Sequence, residues 1–250
     1  NYFSLAVDSN GGVWSFGNAQ FGCLGLGNSQ ENQFTPVRIE GLPSIKSVSA
    51  GYYHGIVLDV NGSVWSFGNN QFGQLGVGDT TQRRTPCKIE GIPQMVQISS
   101  GYSHNLILDS GGQVWSFGYN GFGQLGHSDT RQRNIPERIP EVKDITQIFG
   151  AGHSSILKND KQQVFVFGWN DYSQLGMPTQ GKILSPVEQE EWRGKIIIPG
   201  GNHNVTLDEE GYLSFFGSYL EFIQQGKHEG VQISQRKMIP TKNARNVAAQ

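Results

Sequence analysis

The chain has 250 residues, 36% of them hydrophobic, with a formal charge of −2 from 19 basic and 21 acidic side chains. That much apolar material buries a sizeable core and excludes a disordered chain, and the charge balance excludes the chain-wide positive excess that phosphate backbones select. The two cysteines, Cys23 and Cys87, exclude a disulfide framework and a zinc spacing, which fits a reducing compartment.

In chain order, the first long stretch is "VWSFGNAQFGCLGLGN" from Val13 to Asn28, and near copies follow at Val64 to Asp79 and at Val114 to Asp129. The glycine closing "SFG" or its equivalent recurs at Gly17, Gly68, Gly118, Gly168 and Gly217, at intervals of 51, 50, 50 and 49. A second marker, glycine then two residues then histidine, ends at His54, His104, His153 and His203, and a third is Pro36, Pro86, Pro136 and Pro186. A period near fifty fixes the architecture before any single motif does.

One unit reads as four short strands, represented by "MVQISS", "HNLILD", "QVWSFG" and a looser "TPCKIE". Asn61-Gly62 in "LDVNGSVW" is expected to supply the positive φ angles of a two-residue hairpin turn, and "DSGGQ" the equivalent one. Trp14, Trp65 and Trp115, with Phe16, Phe67 and Phe117 two residues on, share one face of the third strand and are expected to fill the wedge between sheets.

A unit of this kind cannot bury both faces of its sheet alone, so units must stack, and a ring leaves no exposed end. The expected fold is an all-β propeller of five blades, one repeat per blade, forming a single domain over residues 1–250. Gln250 falls in phase with Gly51 and Phe3 with His54, so one blade is expected from both termini, 1–40 with 241–250. An excerpt from a longer ring, of seven blades for example, gives the same phase. The fourth unit has Phe165 in place of the tryptophan, and the fifth has Ser214 there and "FIQQG" in place of "FGQLG", which predicts an irregular last blade.

The stretch "SAGYYHGIVLDVNGSVWSFGNNQFGQLGVGD", Ser49 to Asp79, and its copies resemble the repeat of the regulator of chromosome condensation family. The resemblance spans essentially the whole chain, strongest in the first three units. It implies a propeller whose relatives include a nucleotide exchange factor for the small GTPase Ran that docks on chromatin, and scaffolds of signalling and ubiquitin pathways. Unit lengths of 49 to 51 leave no room for the inserted β-wedge of that exchange factor, and its basic tail has no counterpart here.

The glycine-rich "GQLGVGD", Gly73 to Asp79, superficially offers a phosphate cradle, but it lacks the following helix and lysine and recurs in unit after unit, so it reads as scaffold. The recurring histidines read as strand-end hydrogen-bonding groups, because adjacent blades hold them too far apart for one metal. No catalytic grouping rises above the repeat, which predicts no covalent enzyme, no cofactor, no metal and no small-molecule substrate.

The candidate partner-binding residues are those that break the repeat. The loops "DTTQRRTPCK" and "DTRQRNIPER" are expected to bring Arg83, Arg84, Lys88, Arg131, Arg133 and Arg138 to one side of two consecutive blades, with Asp79, Asp129 and Glu137 as local counter-charges. In "EQEEWRG", Trp192 stands beside Glu188, Glu190 and Glu191, either as a partner anchor or tucked beneath its own loop. The expected function is a binding platform for a small Ran-like GTPase, with guanine nucleotide exchange activity as its extension. The alternatives are a protein-interaction scaffold without exchange, and a DNA- or chromatin-docking module using the arginine loops. With no apolar run long enough for a bilayer and no leader at Asn1, the expected location is intracellular, nuclear or cytoplasmic, without membrane contact.

Overall fold

A computed structural model of the protein describes residues 3–27, 31–219, 231–232 and 236–238. The first sheet holds three antiparallel strands, β1 (Phe3–Val7), β2 (Val13–Gly17) and β3 (Gln33–Arg38), in that order. Three four-stranded meanders follow. They are β4 (Ile45–Ala50), β5 (His54–Asp59), β6 (Val64–Gly68) and β7 (Arg83–Lys88); β8 (Met95–Ser100), β9 (His104–Asp109), β10 (Val114–Gly118) and β11 (Arg133–Arg138); β12 (Ile145–Ala151), β13 (Ser154–Asn159), β14 (Val164–Trp169) and β15 (Lys182–Glu188). The fifth sheet runs β16 (Ile196–Pro199), β17 (His203–Leu207), β18 (Tyr212–Tyr219), with two short strands, β19 (Val231–Gln232) and β20 (Arg236–Met238), both paired to β18. Each fifty-residue unit is thus one sheet, and the last one is irregular at its outer edge. The inner strands β4, β8, β12 and β16 neighbour one another in turn, so the sheets are arranged in succession. The pairing of the two termini involves residues 241–250, outside the described residues.

The strand period explains the cores. In β5, Ile56 and Leu58 face the third sheet and meet Ile107 and Phe117, while Val57 faces back toward the first sheet with Phe67. Phe67, Phe117 and Phe167 are fully buried between successive sheets, and Phe216 nearly so. Burying such a ring stabilises by about 1.5–3 kcal/mol. Gly25, Gly76 and Gly126, with φ of 69°, 69° and 76°, press on these rings: a Cβ would stand 3.0 Å, 2.9 Å and 2.9 Å from Phe67, Phe117 and Phe167 of the following sheet. Within the loop the amides already have acceptors, Leu75 N donating to Asn70 Oδ1 and Phe72 N to Gln74 Oε1, each at 2.9 Å. Gly73 N, Gly76 N and Gly78 N likewise donate to Asn70 O, Gly73 O and Asn134 O, so the repeated glycine-rich stretch is scaffold.

The hairpin turn differs from the expected two-residue form. Of Asn61 and Gly62, only Gly62 has a positive φ, 84°. Gly62 N donates to Asp59 O at 3.1 Å and Asp59 N to Ser63 O at 2.9 Å, which is a turn followed by one left-handed residue at a bulge. Asp59 makes this longer turn favourable: its Oδ1 accepts from Asn61 N and Ser63 N, and its Oδ2 from Trp65 Nε1 at 3.3 Å.

Candidate interaction surface

The sheets have two ends. At one lie the hairpin turns such as Asp59 to Ser63; at the other, the long loops after β6, β10 and β14. Register places Gly68 opposite Arg83 and Trp65 opposite Lys88, and likewise Gly118 opposite Arg133 and Trp115 opposite Arg138. The six candidate cations therefore do not share one edge. Arg83, Arg84, Arg131 and Arg133 stand at the loop end, and Lys88 and Arg138 about 17 Å away at the hairpin end, five residues along an extended strand.

Several of these cations have local partners. Arg83 Nη2 contacts Asp79 Oδ2 at 2.6 Å. Arg133, 9% exposed, reaches Asp129 at 3.0 Å and Glu137 at 2.7 Å, and Arg131 contacts the same Asp129 at 3.2 Å. The hydrogen bond from Arg133 holds the Asp129 carboxyl well below its ordinary range, and that from Arg83 does the same for Asp79. Lys88 lies 4.0 Å from Glu90. Arg84 packs over Gly22 of the preceding sheet's loop, and its carbonyl accepts from Gly27 N at 2.8 Å.

The tryptophan of "EQEEWRG" takes the tucked position, not the anchor one. Trp192 is fully buried, 5.0 Å from Phe216 in the core between fourth and fifth sheets. Its chain enters through a 3-10 turn, Glu190–Trp192, whose start is capped by the Gln189 side chain accepting from Glu191 N. Glu190 and Glu191 remain exposed, and Glu188 accepts from Gln163 Nε2 at 3.0 Å and 2.9 Å.

The histidines split into two kinds. His54 Nε2 bonds Asn105 Oδ1 at 3.0 Å and His104 Nε2 bonds Ser155 Oγ at 2.9 Å, each linking one sheet to the next. The Nε2 bonds therefore go to side chains of the neighbouring sheet, and His104 is also held by a backbone hydrogen bond to Ser154 at the start of β13. Each ring lies over the glycine of its own motif, where a Cβ on Gly51 or Gly101 would collide with it. Burial pushes His54 down to about 4 and His104 to about 3, so both imidazoles are neutral.

His153 belongs elsewhere. Ser154, not His153, pairs with Gly168 as His54 pairs with Gly68 and His104 with Gly118. One position out of phase, His153 leaves the inter-sheet ladder and sits at the loop end, 5.1 Å from Tyr102, 4.9 Å from Phe122, and 6.0 Å from both Tyr119 and Trp169. A sequence signal existed: His104 to His153 is 49 residues, whereas Gly118 to Gly168 and Pro136 to Pro186 are 50. Among the described residues no group of three His, Cys, Asp or Glu side chains could hold a metal, and no helix is long and apolar enough to cross a membrane.

Comparison with known proteins agrees with this repeat architecture. Over 77 residues the chain is 44% identical to the probable E3 ubiquitin-protein ligase HERC6 of Homo sapiens, covering 30% of this chain and 8% of that one. Over 78 residues it is 37% identical to the regulator of chromosome condensation of Xenopus laevis, 31% of this chain and 18% of that one. The solved structure of human WBSCR16 superposes with a TM-score of 0.79 at 21% identity, covering 96% of this chain and 66% of that chain. The chain thus spans a small part of these curated relatives and about two thirds of the solved one. The RCC1-like domain matches residues 1–249, and the chain belongs to that family of repeat β-propellers.

Proposed function

We propose that the chain is a rigid binding platform for a protein partner, with a small Ran-like GTPase as the first candidate and guanine nucleotide exchange as its activity. The observation that carries the platform reading is structural. Each unit spends its repeated glycines, histidines and aromatics on scaffold, so side chains that break the repeat at the loop end are left for recognition. Exchange needs no covalent chemistry, only tighter binding to the empty GTPase than to the nucleotide-loaded one. An intracellular setting, nuclear or cytoplasmic, belongs to this reading.

The sequence resemblance supports the GTPase; the likeness to a ubiquitin ligase supports the scaffold reading without exchange. Release of fluorescent guanine nucleotide from a panel of small GTPases separates them. Acceleration by the intact chain is the expected result; binding without acceleration leaves the scaffold, and absence of binding removes the GTPase. The arginine loops favour docking on DNA less, because Arg83 and Arg133 are engaged by their own carboxylates. We further infer that the five sheets are five blades of one propeller, domain 1–250. Among the described residues the first sheet has no counterpart of its neighbours' innermost strand, and the sequence phase of 247–249 matches that position.

A further inference from the structure

The aromatic cluster around His153 is the strongest departure from the repeat. Trp169 ends β14, and its Nε1 donates to Asp171 Oδ2 at 2.6 Å. Tyr172 lies 5.0 Å from Trp169 and is 43% exposed, and Phe122 lies 5.5 Å from Trp169. Trp169 pairs with Lys182 on the neighbouring strand, and the Lys182 ammonium stands 5.6 Å from the Phe122 ring centre. The rings of Tyr102, Tyr119 and Phe122 close the platform around the histidine.

The chemistry of this patch has a sign. Ring faces attract cations through their quadrupole, most strongly for tryptophan. A carboxylate at the edge adds charge and fixes the indole. Burial also lowers the His153 pKa, so the hub adds no competing positive charge. The chain's own Lys182 already occupies one ring face, which shows what the surface holds.

We infer that the platform formed by Phe122, Trp169, Asp171 and Tyr172 docks an arginine- or lysine-bearing segment of a protein partner, its cation on the exposed Tyr172 and the partly exposed Trp169 and against the exposed Asp171 carboxylate. The inference rests on the binding-platform reading and not on exchange activity. It locates that reading at the corner between third and fourth sheets and gives its partner a charge.

The test uses the whole chain and three fluorescein-labelled nonapeptides of glycine alternating with arginine, glutamate or proline, followed by anisotropy. The arginine peptide binds at least about tenfold tighter than the glutamate one. Tyr172→Ala and Trp169→Ala each weaken it about fivefold, the worth of a partly exposed cation–π contact, while Trp169→Phe keeps most of the affinity. Lys182→Ala is decisive: it removes the neighbouring positive charge and tightens the arginine peptide about two- to fivefold, whereas a site for acidic segments loses affinity on the same change. Lys182 and Tyr172 are exposed, so these two variants keep the test sharp if Trp169→Ala does not fold. Equal binding of the arginine and glutamate peptides, preference for the proline peptide, or weakening by Lys182→Ala overturns the inference. Nucleotide exchange by a chain that fails to bind the arginine peptide overturns it and leaves the GTPase proposal standing. Peptide binding as expected by a chain without exchange upholds it and removes the exchange activity.

Discussion

Asp59 shows how one side chain sets a local shape. Two backbone amides and an indole converge on a carboxylate that is 4% exposed, and the same group recurs at Asp8 and Asp109 with Trp14 and Trp115. Where the tryptophan becomes Phe165, the aspartate becomes Asn159, whose Oδ1 still accepts from Gln163 N at 2.9 Å; where it becomes Ser214, Asp208 is kept and its Oδ1 accepts from Tyr212 N at 2.8 Å, so the turn requires the oxygen acceptor with or without an indole. Asp59→Ala is expected to cost about 1–3 kcal/mol, since it strands buried donors, and Asp59→Asn less, since a carbonyl oxygen still serves the turn. Urea denaturation of the two variants checks this, and equal stability of Asp59→Ala and the parent would remove the role. The aspartate's part in the hairpin was legible from its recurrence. The φ of Asn61 was not, because the carboxylate's bonds to Asn61 N and Ser63 N select the longer turn over the one its dipeptide favours.

At the scale of strands, register decides what a histidine does. His54 and His104 begin β5 and β9 and reach across to Asn105 and Ser155, whereas His153, one residue out of step, faces the loop end. The two ladder histidines give stability a pH dependence. Their folded pKa values lie below the ordinary one near 6.5, so below pH 6.5 the unfolded chain binds protons that the folded chain refuses. Stability is therefore complete above about pH 6.5 and falls by about 1.4 kcal/mol per pH unit per histidine as pH drops toward 4. Denaturation midpoints measured from pH 8 to 4 check this. His54→Asn should flatten part of the acid slope, and an unchanged slope would show that other groups carry it. The arginine loops teach the same lesson: the cations of two short stretches, 83–88 and 131–138, occupy two ends of their strands, because an extended strand separates its termini.

For the whole molecule, the open question is closure. The proposed ring places Ala249 beside Ser4, as Ala50 stands beside Gly55 in the second sheet. Ser4→Cys with Ala249→Cys, in a Cys87→Ser background, should form an intramolecular disulfide under mild oxidation. Failure to cross-link in the folded protein would place another segment, as in a longer ring, along β1. The sheets themselves, their order along the chain and the wedge-filling Phe67 and Phe117 were legible beforehand, because a fifty-residue period, strand alternation and turn chemistry are properties of neighbouring residues; Phe16, also expected there, is only half-buried. The sequence by itself determined the repeat, the sheet that each repeat makes, and the glycines that let one sheet press on the next. Tertiary structure alone decided that Trp192 is core and that His153 joins rings from the third and fourth sheets into one platform. Those outcomes depend on which units become neighbours and on a one-residue slip of register, and neither is a property of any single stretch of chain.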